Sequence, residues 1–71
     1  MMPLLLANDG KPHTIRHISG TSEIKKHLEN LGFVAGGDVT VVSELAGNLI
    51  VNVKECRVGI DRILAQKVFV D

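Results

Sequence analysis

Apolar residues recur along this 71-residue chain first at helical and then at strand spacing. Ile24, Leu28 and Leu31 stand at i, i+4 and i+7 and form one helical stripe, while Lys25, Lys26, Glu29 and Asn30 fall largely toward water. Thr21 or Ser22 supplies a side-chain oxygen for an otherwise unpaired first-turn N–H. Gly32 suits the left-handed conformation that closes a helix. The spacing predicts a helix from about Ser22 to Leu31.

After Gly36-Gly37-Asp38, a turn, the period shortens to two. Val39 to Ser43 is read as a strand, Glu44 to Asn48 as a loop, and Leu49 to Lys54 as a cleanly alternating strand with Leu49, Val51 and Val53 inward. Cys56, Val58 and Ile60 share one face of the next short strand, where Gly59 permits close backbone approach. Asp61 is placed to cap a single helical turn, Arg62 to Gln66, and Lys67 to Val70 closes the chain as a strand. Upstream, Pro3 to Ala7 is too short to classify, and Asn8-Asp9-Gly10-Lys11-Pro12 is a turn. His13 to Ile18 reads as a strand, but Ile15 and Ile18 are an odd step apart, which implies a bulge or strand end near His17.

Short strands at roughly ten-residue spacing imply a sandwich or a barrel. In so small a chain, a barrel closed by its own termini leaves fewer open edges. The expectation is a mostly β, single-domain barrel over residues 1–71, with one inserted helix (about 22–31) and a short helical turn before the last strand.

Composition narrows the function. Eight basic residues balance eight acidic ones, so the basic face that neutralises phosphates in nucleic-acid binders is not expected. The Lys25-Lys26-His27 run reads as a solvated helix face diluted by Glu23 and Glu29. Phe33 and Phe69 are the only aromatic residues besides histidine, which leaves little scope for stacking on bases. The single cysteine, Cys56, cannot form an internal disulfide, which suits a reducing cytoplasm. Met1 to Ala7 lacks a basic n-region and is interrupted by Pro3, so it is not read as a signal sequence, and no stretch reaches the ~20 apolar residues of a membrane span.

The chemistry-bearing residues are scattered. His13 and His17 are four apart, which on a strand separates them by roughly 13 Å, too far for one ion to bridge. With His27 they are candidates for adventitious metal capture only, and no specific metal site or cofactor is expected. Cys56 alternates with Val58 and Ile60 and is expected to behave as a small buried hydrophobe. Asp9 and Asp38 fit turns and Asp61 a cap, and no carboxylate pair stands out as an acid–base couple, so no catalytic residue is assigned. Gly32, Gly36 and Gly37 follow a helix and lead into a strand, the reverse of a phosphate loop.

The run from His27 to Val41, in which a helix ends in Leu31-Gly32, passes Phe33-Val34-Ala35-Gly36 and enters a valine-rich strand, resembles the core motif of the FeoA family. Gly47 to Lys54 is similar to the family's next strand, and Val58 to Val70 to its closing segment, with Ala65 at the characteristic alanine; Pro3-Leu4-Leu5-Leu6 matches the usual start. Ala35 stands where the family often has proline, and His27 where it often has arginine.

That resemblance implies an SH3-like barrel in the cytoplasm, without catalytic activity. It also implies a partner: a FeoB-type membrane ferrous-iron transporter, bound through its cytosolic G-domain region, with the membrane reached only through that partner. A second reading is a small-barrel regulatory or nucleic-acid-binding domain related to the C-terminal domain of iron-dependent repressors. The residues that do not fit the inward alternation, Leu45 in the connecting loop, Ile50 and Phe69, are the candidate partner anchors, with Phe33 as either an anchor or a core staple. Exposed β edges also suit self-association into a homo-oligomer.

Overall fold

The structure, a computed structural model, describes all 71 residues. The order of elements is β1 (Met2–Pro3), a 3₁₀ turn (Leu4–Leu6), β2 (His13–Ile18), α1 (Ser22–Leu31), β3 (Asp38–Leu45), β4 (Asn48–Val53), β5 (Cys56–Asp61), α2 (Arg62–Ala65) and β6 (Val68–Val70).

Helix α1 has the ends that its sequence calls for. Thr21 caps it, its hydroxyl accepting from the Ile24 N–H at 3.2 Å. At the other end Gly32 turns left-handed at φ 109°. There the Gly32 N–H donates to the Glu29 carbonyl and the Phe33 N–H to the Leu28 carbonyl, each at 2.9 Å. These two bonds form a Schellman cap, which usually brings the side chains of Leu28 and Phe33 positions together. Both are fully buried here, so the cap that stops the helix also drives Phe33 into the core.

The six strands form one antiparallel sheet in the order β1-β6-β2-β3-β4-β5. The β2 ladder to β6 shifts register between Ile15 and His17, at the position where the odd isoleucine spacing calls for a bulge. A second shift lies between Val41 and Ser43 of β3, leaving Val42 turned out and 41% exposed. The chain end is held back onto β2 by the Asp71 N–H donating to the Thr14 carbonyl at 3.1 Å.

Two expectations about the strands are corrected. The barrel is not closed by strand pairing: β1 and β5 are the two ends of the sheet, and the 3₁₀ turn packs against α2. A two-residue β1 offers too little ladder to reach round to β5. The segment Glu44 to Asn48 is not a loop, because β3 runs on to Leu45 and β4 starts at Asn48. Only Ala46 (φ 52°) and Gly47 (φ 84°) turn the hairpin. Two successive positive φ values are the mark of a tight type I′ connection, and alanine at the first place gives no compositional signal of it.

The core is a single cluster of 14 apolar side chains, with no buried polar or charged residue and no buried side-chain polar atom left unpaired. Leu49, Val51 and Val53 of β4 point into it, with Ile15, Val39, Val41, Val68 and Val70 from the neighbouring strands. Cys56 does not. It is exposed, a correction to the alternation argument. It lies on the inward side, opposite Val53, but at the hairpin end of an outer strand, where little packs above it.

Candidate partner-binding surface

The four candidate anchors do not converge. Leu45 is 70% exposed at the tip of the β3–β4 hairpin. Ile50 is half-buried in β4, opposite Ser43 on one side and Gly59 on the other. Strand alternation places Leu45, Ser43, Ile50 and Asn48 on one outward face of that hairpin. Phe69 lies in β6, opposite Pro3 and His17, separated from β4 by β2 and β3. It is half-buried, its ring centroid 6.0 Å from that of His17. Phe33 is fully buried and presents nothing to a partner.

Other exposed apolar side chains lie outside the set of candidate anchors. Ile63 is 67% exposed on α2, and Leu6 is 71% exposed on the 3₁₀ turn that packs against it. A signal for Ile63 existed. One helical turn has one inward side, taken by Ala65, and a residue two places away projects roughly 200° round the axis. An open groove of about 250 Å³ runs between the end of β2, α1 and the helix exit, with Arg16, His17, Lys25 and Glu29 around Phe33 and Val34.

The histidines are also kept apart in role. His13 bridges two acceptors, its Nδ1 donating to the main-chain oxygen of Asp71 at 2.8 Å and its Nε2 to Asp9 Oδ1 at 2.9 Å. Two N–H donors mean an imidazolium. The Asp71 oxygen, and then the Asp9 carboxylate, hold the His13 pKa above its ordinary 6.5. The same bond from His13, helped by the Lys11 N–H, holds Asp9 below its ordinary 3.8. Arg16 pairs with the Asp71 carboxylate beside them. His17 and His27 are exposed. No three His, Cys, Asp or Glu side chains gather in a metal-binding arrangement, and no helix is long and apolar enough to cross a membrane.

Six antiparallel strands around one apolar core, with a helix between β2 and β3 and a helical turn before the last strand, define a small SH3-like domain. The comparisons agree. A FeoA domain family model matches residues 2–71, and the chain belongs to that family. The crystal structure of an iron uptake regulatory protein, FeoA, matches with TM-score 0.89 at 27% identity, over 99% of this chain and 93% of that one. The zinc complex of Stenotrophomonas maltophilia FeoA, described as a procaryotic SH3 domain protein, matches with TM-score 0.72 at 26% identity, over 84% and 78%. Cadmium-bound ScaR shares the fold at TM-score 0.90 and 14% identity, this whole chain corresponding to 35% of that one. No curated protein matches the sequence.

Proposed function

We propose that this protein is a cytoplasmic, non-enzymatic accessory protein of ferrous-iron uptake, which docks on the cytosolic G-domain region of a FeoB-type transporter and modulates it. The observation that carries the reading is the match of the FeoA family model over residues 2–71. The proposed role of the Stenotrophomonas maltophilia protein as a bacterial ferrous iron transport activating factor supports it. Docking would use exposed apolar side chains as anchors with charges at the rim. Leu45, 70% exposed beside the two-residue turn of the β3–β4 hairpin, is the first of these.

The test is titration of the protein into the transporter's isolated cytosolic region by calorimetry, with Leu45→Asp alongside wild type. Binding of wild type and a tenfold or greater loss for Leu45→Asp, equivalent to about 1.4 kcal/mol, support both the role and the site. Equal binding by the two removes the Leu45 site alone. Absence of binding by wild type removes the role.

The fold shared with a manganese-dependent transcriptional repressor favours a second reading, a regulatory domain of the repressor type. A salt-dependent shift of single-stranded RNA or DNA by this protein would favour it over the first, since phosphate binding weakens steeply with salt.

A further inference from the structure

Strand β5 ends the sheet with β4 on one side and no strand on the other. Its register to β4 runs unbroken from Cys56 to Asp61, without a bulge or a proline to blunt the edge. The β4–β5 turn is two residues, Lys54 and Glu55, so Val53 and Cys56 close the hairpin as a hydrogen-bonded pair. Alternation then turns the main-chain N–H and C=O of Arg57, Gly59 and Asp61 away from β4. No turn, loop or cap hydrogen bond involves the main chain of Arg57 or Gly59.

Only some registers let such an edge pair with itself. A two-fold axis at Gly59 sets Gly59 opposite Gly59 of a second copy, and Arg57 opposite Asp61 on both sides. All three outward-facing residues then meet outward-facing partners, the Asp61 N–H facing the Arg57 carbonyl while the Asp61 carbonyl already accepts the first bond of α2. An axis at residue 58 or 60 leaves two such pairs and opposes no unlike charges. An axis midway between residues faces outward groups with groups already spent on β4.

The side chains agree with the Gly59 register. Arg57 and Asp61 are exposed, and neither has an ion-pair partner within the chain. Asp61 uses Oδ1 to cap α2, accepting from the Leu64 N–H at 2.8 Å, which leaves its second oxygen for a cation. On the inward side Val58 would meet Ile60. At the axis no side chain intrudes, and Ile50 leans over Gly59, its Cδ1 3.4 Å from where a Cβ would stand.

We propose that β5 pairs antiparallel with β5 of a second copy of this chain about a two-fold axis at Gly59, giving a homodimer with one continuous sheet. The interface is isologous and small, so the dimer is weak and concentration-dependent. It stands apart from the transporter reading, because neither needs the other.

Two experiments decide it. Sedimentation equilibrium from about 20 µM to about 0.5 mM covers the range in which a small interface populates both states. Wild type is expected to shift from monomer to dimer. Arg57→Asp alone and Asp61→Lys alone set like charges opposite each other and stay monomeric, whereas their equimolar mixture restores both opposite-charge contacts and dimerises. Opposed residues of a hydrogen-bonded pair have Cα atoms about 5.5 Å apart, within disulfide range. In a Cys56→Ser background, Gly59→Cys is therefore expected to oxidise to a covalent dimer at least tenfold faster than Glu44→Cys, which is exposed on β3. The cross-linking arm keeps the test decisive if Asp61→Lys, which loses a helix cap, fails to fold. Wild type that is monomeric throughout, or cross-linking at residue 59 no faster than at residue 44, overturns the proposal.

Discussion

Replacing Phe33 by alanine tests the link between the helix cap and the core. The ring is fully buried, and it is carried there by the Phe33 N–H bond to the Leu28 carbonyl at 2.9 Å. Truncating a buried phenylalanine costs about 3–5 kcal/mol, the lost transfer free energy plus the cavity left behind. At roughly 0.05–0.15 kcal/mol per residue, 71 residues give a total stability of about 4–11 kcal/mol, so Phe33→Ala removes a large share of it. Each kcal/mol corresponds to ~4–8 °C in a domain this size, so the melting temperature should fall by about 12 °C or more. The chain has no Trp or Tyr, and urea unfolding is best followed by far-UV circular dichroism. With a slope of about 1 kcal/mol per M, the midpoint should drop by about 3 M. Phe69→Ala, truncating a half-buried ring, should cost about 1–2 kcal/mol. A loss below ~1 kcal/mol for Phe33→Ala at unchanged slope would refute the reasoning and return Phe33 to the list of surface anchors.

Further outcomes follow from other local features. His13 has its pKa raised above 6.5, so its contribution is complete below that value and is lost as pH rises through the folded-state pKa. Asp9 is lowered from 3.8, and its contribution holds above that value and is lost as pH falls through its folded-state pKa. Melting curves should therefore show the widest gap between wild type and His13→Gln below pH 6.5 and above the acid range in which Asp9 protonates, narrowing as pH rises above 6.5; a gap of constant width argues against the imidazolium. Asp61→Ala deletes the oxygen that caps α2 and should lower stability by about 0.5–2 kcal/mol in urea titrations, whereas Asp61→Asn should retain most of it. Lys54 and Glu55 are held at φ 49° and 65°, so the double change Lys54→Asn with Glu55→Gly should raise stability by about 1 kcal/mol, read as a higher urea midpoint.

Whatever depends on near neighbours was legible in the sequence. Helix α1 runs from Ser22 to Leu31 as read, because its cap, stripe and stop lie within a dozen residues and act through backbone bonds of short reach. The bulge beside His17 and the capped turn after Asp61 were equally local. The family resemblance, drawn from ordered short segments, led to the fold by the same route.

Depth and partnership were decided only in three dimensions. Alternation told which side of β5 Cys56 faces, but its exposure depends on how far the core extends along that strand. Leu45 and Ile50 share an outward face because a turn of Ala46 and Gly47 sets the register of β3 on β4, which a positive φ at alanine did not advertise. Phe33 and Phe69 are both aromatic residues beside valine, yet a left-handed Gly32 buries the first, while the second sits half-exposed between Pro3 and His17, residues far from it in the chain. The open edge of β5 arises because β6 turns instead to the slot between β1 and β2. Local propensity acts over a few residues and survives in the sequence as pattern. Burial and edges are sums over contacts between distant segments, so they exist only once the chain has closed on itself.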